Sequence, residues 1–254
     1  MRTKKSNRSQ MPLLSHLEEF RKRLVLCAIV FFIAVLACLS QAEWAADRLM
    51  EKASGFQFVY ITPTELVLSY LRLSLIGGAV LSFPVILYHI LMFIWPGLVR
   101  REKSACILTL IAGLLLFCVG VVFAFEIVIP LALVFFAGLN SGQLISAMVS
   151  IDSYLGFLCT TLVTFGIVFE MPVAVVLLTK IGLLTPELLR KNRKFAVLGI
   201  FIVAALITPP DVTSQLLVAI PMLALFEVSL ALSRLMSWRK RKNTLFIERE
   251  QYGS

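Results

Sequence analysis

Leu24-Val25-Leu26-Cys27-Ala28-Ile29-Val30-Phe31-Phe32-Ile33-Ala34-Val35-Leu36-Ala37-Cys38-Leu39 continues without a charge through Ser40 and Gln41 to Ala42. The hydrocarbon core of a bilayer is about 30 Å thick and takes roughly 20 apolar residues of helix, or about 17 at the short end, so this stretch spells a membrane-crossing helix. Working outward from it gives candidate spans at 24–42, 66–94, 105–129, 154–179, 195–208 and 213–233. The whole chain has the same character: of 254 residues 59% are hydrophobic and 15% charged, where a soluble domain is about 45–50% apolar and about 25% charged. That excess of apolar surface excludes intrinsic disorder, a coiled coil and a nucleic-acid module. The expected fold is an all-α polytopic membrane protein with six transmembrane helices. Residues 1–254 form one membrane domain, with an N-terminal segment at 1–23 and a basic tail at 235–254, both cytoplasmic.

The net charge of +9 is mostly topology. Of the 24 Lys and Arg, seven lie in residues 1–23, three in 95–104, five in 180–194 and six in 234–254, with none in 130–153 or 209–212. The positive-inside rule therefore places both termini in the cytoplasm and makes 43–65, 130–153 and 208–212 external. A basic start before an apolar run is also the form of a cleavable signal peptide, but Glu18 and Glu19 put acids where such a leader avoids them. Ser15 with Glu18 three residues on reads as a capping box, the start of a short amphipathic helix on the cytoplasmic surface that runs into the first span.

Other helix starts are legible. Thr62-Pro63-Thr64-Glu65 and Thr185-Pro186-Glu187 combine an N-cap, a proline at the first helical position and an acid in the first turn, and Asp211 caps the sixth helix after Pro209 and Pro210. Trp44 to Lys52 reads as an amphipathic turn or two, followed by extended Phe56 to Ile61. Pro130 to Ser150 is an external loop apolar enough to lie against the membrane surface or other helices. The fifth span has only thirteen uninterrupted residues, Phe195 to Ile207, which at about 1.5 Å each covers about 20 Å; it must thin the bilayer or sit behind other helices. Spans two, four and six run in the same direction and carry Pro84, Pro172 and Pro221. Bends there build a concave cup, unless they are the ordinary prolines of membrane helices.

Five cysteines, Cys27, Cys38, Cys106, Cys118 and Cys159, all fall in apolar runs with no C-x-x-C pair, so they support neither a disulfide framework nor a metal site, and no cofactor is indicated. Ionisable groups inside a bilayer are functional candidates, because each costs at least about 2.5–3.5 kcal/mol at its centre. Glu170 stands near the middle of the fourth span and Glu227 about two turns from the cytoplasmic end of the sixth. At the cytoplasmic surface, Glu18, Glu19 and Glu102 sit among basic residues. They either balance local charge or present acceptors to a cationic ligand, for which arginine's planar fork is the best match.

Together these residues resemble the TatC family, the receptor subunit of the twin-arginine protein translocase. The resemblance is carried by His16-Leu17-Glu18-Glu19-Phe20-Arg21-Lys22-Arg23-Leu24; by Ser82-Phe83-Pro84-Val85-Ile86-Leu87-Tyr88 with Phe93, Pro96 and Glu102; by Phe165-Gly166 with Phe169-Glu170-Met171-Pro172-Val173; and by Leu206-Ile207-Thr208-Pro209-Pro210-Asp211-Val212 with Ser214-Gln215, Ile220-Pro221 and Glu227. It implies a non-enzymatic receptor in the bacterial cytoplasmic (inner) membrane for folded proteins with paired-arginine signals. Glu19 and Glu102 would bind the signal, with Arg21, Phe93 and Pro96 shaping the surface. Glu170 would line the concave face, and Thr208 and Gln215 would dock single-span TatA/TatB-type subunits. Pro209, Pro210 and Asp211 form the structural motif between spans five and six, and the chain would self-associate within a larger complex. His89 departs from the glutamine common in the family.

A proton-coupled secondary transporter using Glu170 and Glu227 is the alternative, weakened by the lack of an inverted repeat or midplane half-helices. An intramembrane hydrolase lacks its groups: the histidines are His16 and His89, and Asp152 and Asp211 sit at external helix starts.

Overall fold

The structure is a computed structural model. It describes the backbone of residues 11–51, 53, 56–94, 100–139, 148–180, 182–208 and 212–252, and their side chains outside 11–16, 94, 100–106, 139 and 239–252. The described chain is helical apart from short connecting turns and two three-residue strands. In order these are α1 (Met11–Leu39), α2 (Ala42–Glu51), β1 (Gln57–Val59), α3 (Pro63–Ile94), α4 (Arg100–Phe123), a π turn (Ala124–Val128), α5 (Ile129–Leu139), β2 (Met148–Ser150), α6 (Ile151–Phe169), α7 (Met171–Lys180), α8 (Pro186–Lys191), α9 (Arg193–Ile207) and α10 (Val212–Tyr252).

Among the described residues, five stretches are long and apolar enough to cross a membrane: Leu17–Leu39, Pro63–Phe93, Ile107–Gly138, Ile151–Lys180 and Val212–Trp238. These make the chain a multi-pass membrane protein. The 15 residues of α9 give about 22 Å of helix, short of the full core thickness. Its Phe195, Leu198, Ile202 and Leu206 are exposed at helical spacing, which gives α9 an apolar outer stripe.

Local chemistry explains the breaks. The side chain of Thr185 accepts from the Leu188 N–H at 3.3 Å and caps α8. At the start of α3, Pro63 is the first helical residue and a Glu65 oxygen reaches back to the Ile61 N–H at 2.9 Å. Ser15 does not start a helix: α1 begins at Met11 and runs unbroken to Leu39, because nothing between the amphipathic turn and the apolar run interrupts the hydrogen-bond ladder. Nor does Pro130 open a loop. The Ile129 N–H bonds to the Ala124 carbonyl, a wider turn just before the proline that lets the chain accommodate its ring, and the helix continues to Leu139.

Of the three span prolines, Pro84 and Pro221 stay inside continuous α3 and α10, whereas Pro172 divides α6 from α7, with Glu170 as the capping residue of α6.

Two buried clusters hold the bundle. One, around Phe165, Phe169, Ala204, Val218 and Met222, joins α6, α9 and α10; the other, around Ile129, Ile151, Leu155 and Leu158, joins α5 and α6 to α2 and α3. Here β1 pairs in parallel with β2, Phe58 opposite Val149, and Tyr154 donates to the Leu49 carbonyl at 2.8 Å. Helix α1 packs chiefly on α3. A β-carbon at Gly78 would stand 2.4 Å from a Val35 methyl, so the glycine is what lets the two helices touch.

Candidate functional site

The ends of α1 and α3 farthest from the β-strands meet at a polar and aromatic surface. Glu19 and Arg23, one turn apart on α1, pair at 2.6 Å with the acid on the N-terminal side, the favourable order on a helix. Arg23 also lies 3.4 Å from Nδ1 of His89 on α3, and Phe20 meets Phe93 with ring centroids 5.3 Å apart. Glu19 remains partly exposed, its side chain at 37%. Glu18 is turned away, pairing with Lys22 at 2.8 Å where both are exposed. The doubled acid of the sequence motif is thereby resolved: Glu19, not Glu18, faces α3.

Arg21 is exposed on α1. Glu102 falls in the first turns of α4, and its side chain lies outside the described residues, as do Pro96 and the Pro209-Pro210-Asp211 motif.

Near the middle of the bundle, Glu170 sits at the α6–α7 break against α4. Its Oε1 is buried and, among the described residues, has no hydrogen-bond partner. A β-carbon on Gly113 would lie 3.0 Å from the other carboxyl oxygen and 2.8 Å from a Leu87 methyl, so Gly113 makes the space in which the carboxyl, α3 and α4 converge.

At the strand-bearing end, Thr208 is buried and donates to the Ala204 carbonyl at 3.0 Å, while the Gln215 amide donates to the Phe201 carbonyl at 3.0 Å. Both therefore sit at the α9–α10 junction, tied back into α9. Glu227 pairs with Arg193 at 2.6 Å, which the α8–α9 turn brings to it.

The sequence pattern described as Sec-independent protein translocase protein (TatC) matches residues 15–221. The chain belongs to the TatC family. It is 38% identical to the Sec-independent protein translocase protein TatC of Aquifex aeolicus, over 91% of this chain and 98% of that one. It is 37% identical to TatC of Escherichia coli strain K12, over 88% of each. A crystal structure of the twin-arginine translocase receptor TatC superposes with a TM-score of 0.81 at 38% identity, covering 87% of this chain and 99% of that one. As TatC family members are components of a protein translocase, transport of proteins across a membrane is the setting for these residues.

Sequence reasoning passes over three groups here. Arg23 is hidden as one more basic residue of the N-terminal run. Arg72 and Asp152 form an ion pair at 3.0 Å across 80 positions of sequence. Glu126 is exposed in the π turn, whose presence no local signal but Pro130 announces.

Proposed function

We propose that this chain is a signal receptor of a twin-arginine translocase: it binds paired-arginine signals of folded proteins at its cytoplasmic face and organises single-span TatA/TatB-type partners. The reading is non-enzymatic and sets the chain in the bacterial inner membrane as a single domain with six spans, counting α9, both termini inside and the 235–254 tail cytoplasmic. The bent second, fourth and sixth spans form a concave wall, and copies associate within the complex.

The observation that carries the proposal is the partly exposed Glu19 carboxylate beside Phe20 and Phe93, held among the described residues through one of its oxygens only. A carboxylate with a free oxygen on an aromatic shelf is suited to a guanidinium, which forms parallel hydrogen bonds and stacks on rings, where an ammonium does neither. Glu102 is the second acceptor, with Arg21 and Pro96 shaping the approach. Glu170 then contacts the inserted apolar part of the signal or a partner helix, and Thr208 and Gln215 mark the partner-docking side, where short α9 concentrates membrane thinning.

Titration of a fluorescent twin-arginine peptide and its Lys-Lys form against the protein in nanodiscs tests the proposal. The Arg-Arg form is expected to bind at least tenfold tighter, about 1.4 kcal/mol, with the preference erased by Glu19→Ala or Glu102→Ala. Equal binding of both peptides, unmoved by either substitution, would overturn it.

A further inference from the structure

At the strand-bearing end, α3 carries a cation at an unusual depth. Arg72 is nine residues beyond Pro63, about 13 Å along the helix, yet it meets Asp152 in the first turn of α6. Its Nη1 lies 3.0 Å from Asp152 Oδ1 and 3.3 Å from the Asp152 carbonyl. Thr208, at the end of α9, lines the same pocket of about 300 Å³ together with Arg72, Asp152, Gly156 and Thr160. Ser150 and Asp152 at the start of α6 meet Glu65 and Ser69 in the first two turns of α3, so the long Arg72 side chain reaches back towards that end to join them, and α9 ends at the same place. The two charges are partly open, with side-chain exposures of 45% and 32%, beside the apolar stripe of α9, so a polar headgroup at the membrane surface can reach them.

The pocket is built around the guanidinium. A β-carbon at Gly156 would stand 2.4 Å from Arg72 Nη1, so a larger residue there would push the guanidinium out of its present place. The buried Ser69 hydroxyl holds Asp152 Oδ1 at 3.1 Å. Among the described residues, Nε and Nη2 of Arg72 and Oδ2 of Asp152 have no partner. Donors of a cation and an acceptor of an anion thus stand side by side in a site whose net charge is zero.

We infer that this pocket binds the headgroup of an amine-bearing zwitterionic phospholipid, the phosphate on the free donors of Arg72 and the ammonium on Asp152 Oδ2. A purely anionic headgroup would satisfy only the arginine and leave the carboxylate opposed. A choline headgroup has no N–H to give Oδ2. Holding a headgroup at the ends of α6 and α9 would fix the depressed membrane surface that a helix as short as α9 requires.

Native mass spectrometry of the full chain, delipidated in detergent and offered equal amounts of dioleoyl phosphatidylethanolamine, phosphatidylglycerol and phosphatidylcholine, tests this. The ethanolamine lipid is expected to be retained at least threefold over either other. Arg72→Gln should lose that preference. Asp152→Asn should shift it to phosphatidylglycerol, a gain that a merely unfolded variant does not show. Identical retention ratios in all three proteins would overturn the inference. Glycerophosphoethanolamine, the headgroup without chains, should leave the lipid in place at equal concentration; displacement would mean the pocket takes a soluble phosphate ester, and would sink the lipid assignment.

Discussion

Arg23 donates to a single oxygen of Glu19, from Nε at 3.1 Å and Nη2 at 2.6 Å, and among the described residues the second oxygen has no partner. Arg23 is thus placed as an internal stand-in for an incoming arginine. A one-turn helical pair that is partly exposed is worth only about 0.3–0.5 kcal/mol, so a bidentate ligand displaces it at small cost. Arg23→Gln is expected to tighten twin-arginine peptide binding about twofold, the factor that the upper figure converts to, with no change for the Lys-Lys form. A loss of affinity on titration would mean that Arg23 positions Glu19 and does not compete for it.

His89 stands behind this pair at 3.4 Å from Arg23. His89→Gln keeps a side-chain acceptor for the guanidinium and is expected to leave peptide binding within twofold of the parent, whereas His89→Leu removes the acceptor and should shift Arg23 more fully onto Glu19, weakening the peptide. Equal affinities for the two variants would show that the contact is incidental.

The buried oxygen of Glu170, unpartnered among the described residues, makes a third expectation. An unsatisfied buried polar group costs about 1–3 kcal/mol, so Glu170→Met, which keeps the length and removes the polar atoms, should raise the thermal midpoint in detergent by several degrees, at about 2–4 °C per kcal/mol. Export should fall in the same variant if the carboxyl serves the inserted signal, the usual exchange of stability for function. Gly113→Ala should lower the midpoint, since its β-carbon meets Leu87 and Glu170. A midpoint lowered by Glu170→Met would show that the carboxyl has a partner in solution.

How much of this was legible in the sequence depended on the range of the cause. Apolar runs, the Thr185 cap and the α2 turn are set by neighbours in the chain and could be read directly. Proline was read less well: Pro172 breaks its helix, Pro84 and Pro221 do not, and Pro130 is absorbed by a π turn, because the outcome depends on whether packing around each site can accommodate the displaced carbonyl. For the site, Glu19 and Phe93 were readable as types on a surface, but the choice of Glu19 over Glu18 rests on which side of α1 faces α3. The Arg72–Asp152 pocket was invisible, as its members stand far apart in the chain and are joined only when α3, α6 and α9 pack together.

Topology is open to a direct check. Gln57, exposed on β1, and Leu183, exposed after α7, lie on opposite sides of the membrane in the proposed arrangement. In a background with the five cysteines replaced, Gln57→Cys should react with a membrane-impermeant maleimide on intact cells, and Leu183→Cys only after permeabilisation. The reverse pattern would invert the assignment and place Glu19 outside, where it could not receive a signal from the cytoplasm.

Gln215 joins α10 to α9 through the Phe201 carbonyl at 3.0 Å. Interhelical side-chain hydrogen bonds within membranes average about 0.6 kcal/mol, so Gln215→Leu should lower the thermal midpoint by only about 1–3 °C. The same side chain faces the junction proposed for partner docking, and Thr208 is buried beside it. If docking is its work, Gln215→Leu leaves peptide affinity unchanged and cuts export at least tenfold, an effect far larger than the stability loss explains. Full export in that variant, with its midpoint lowered as expected, would leave Gln215 a tie between two helices and move the partner surface elsewhere.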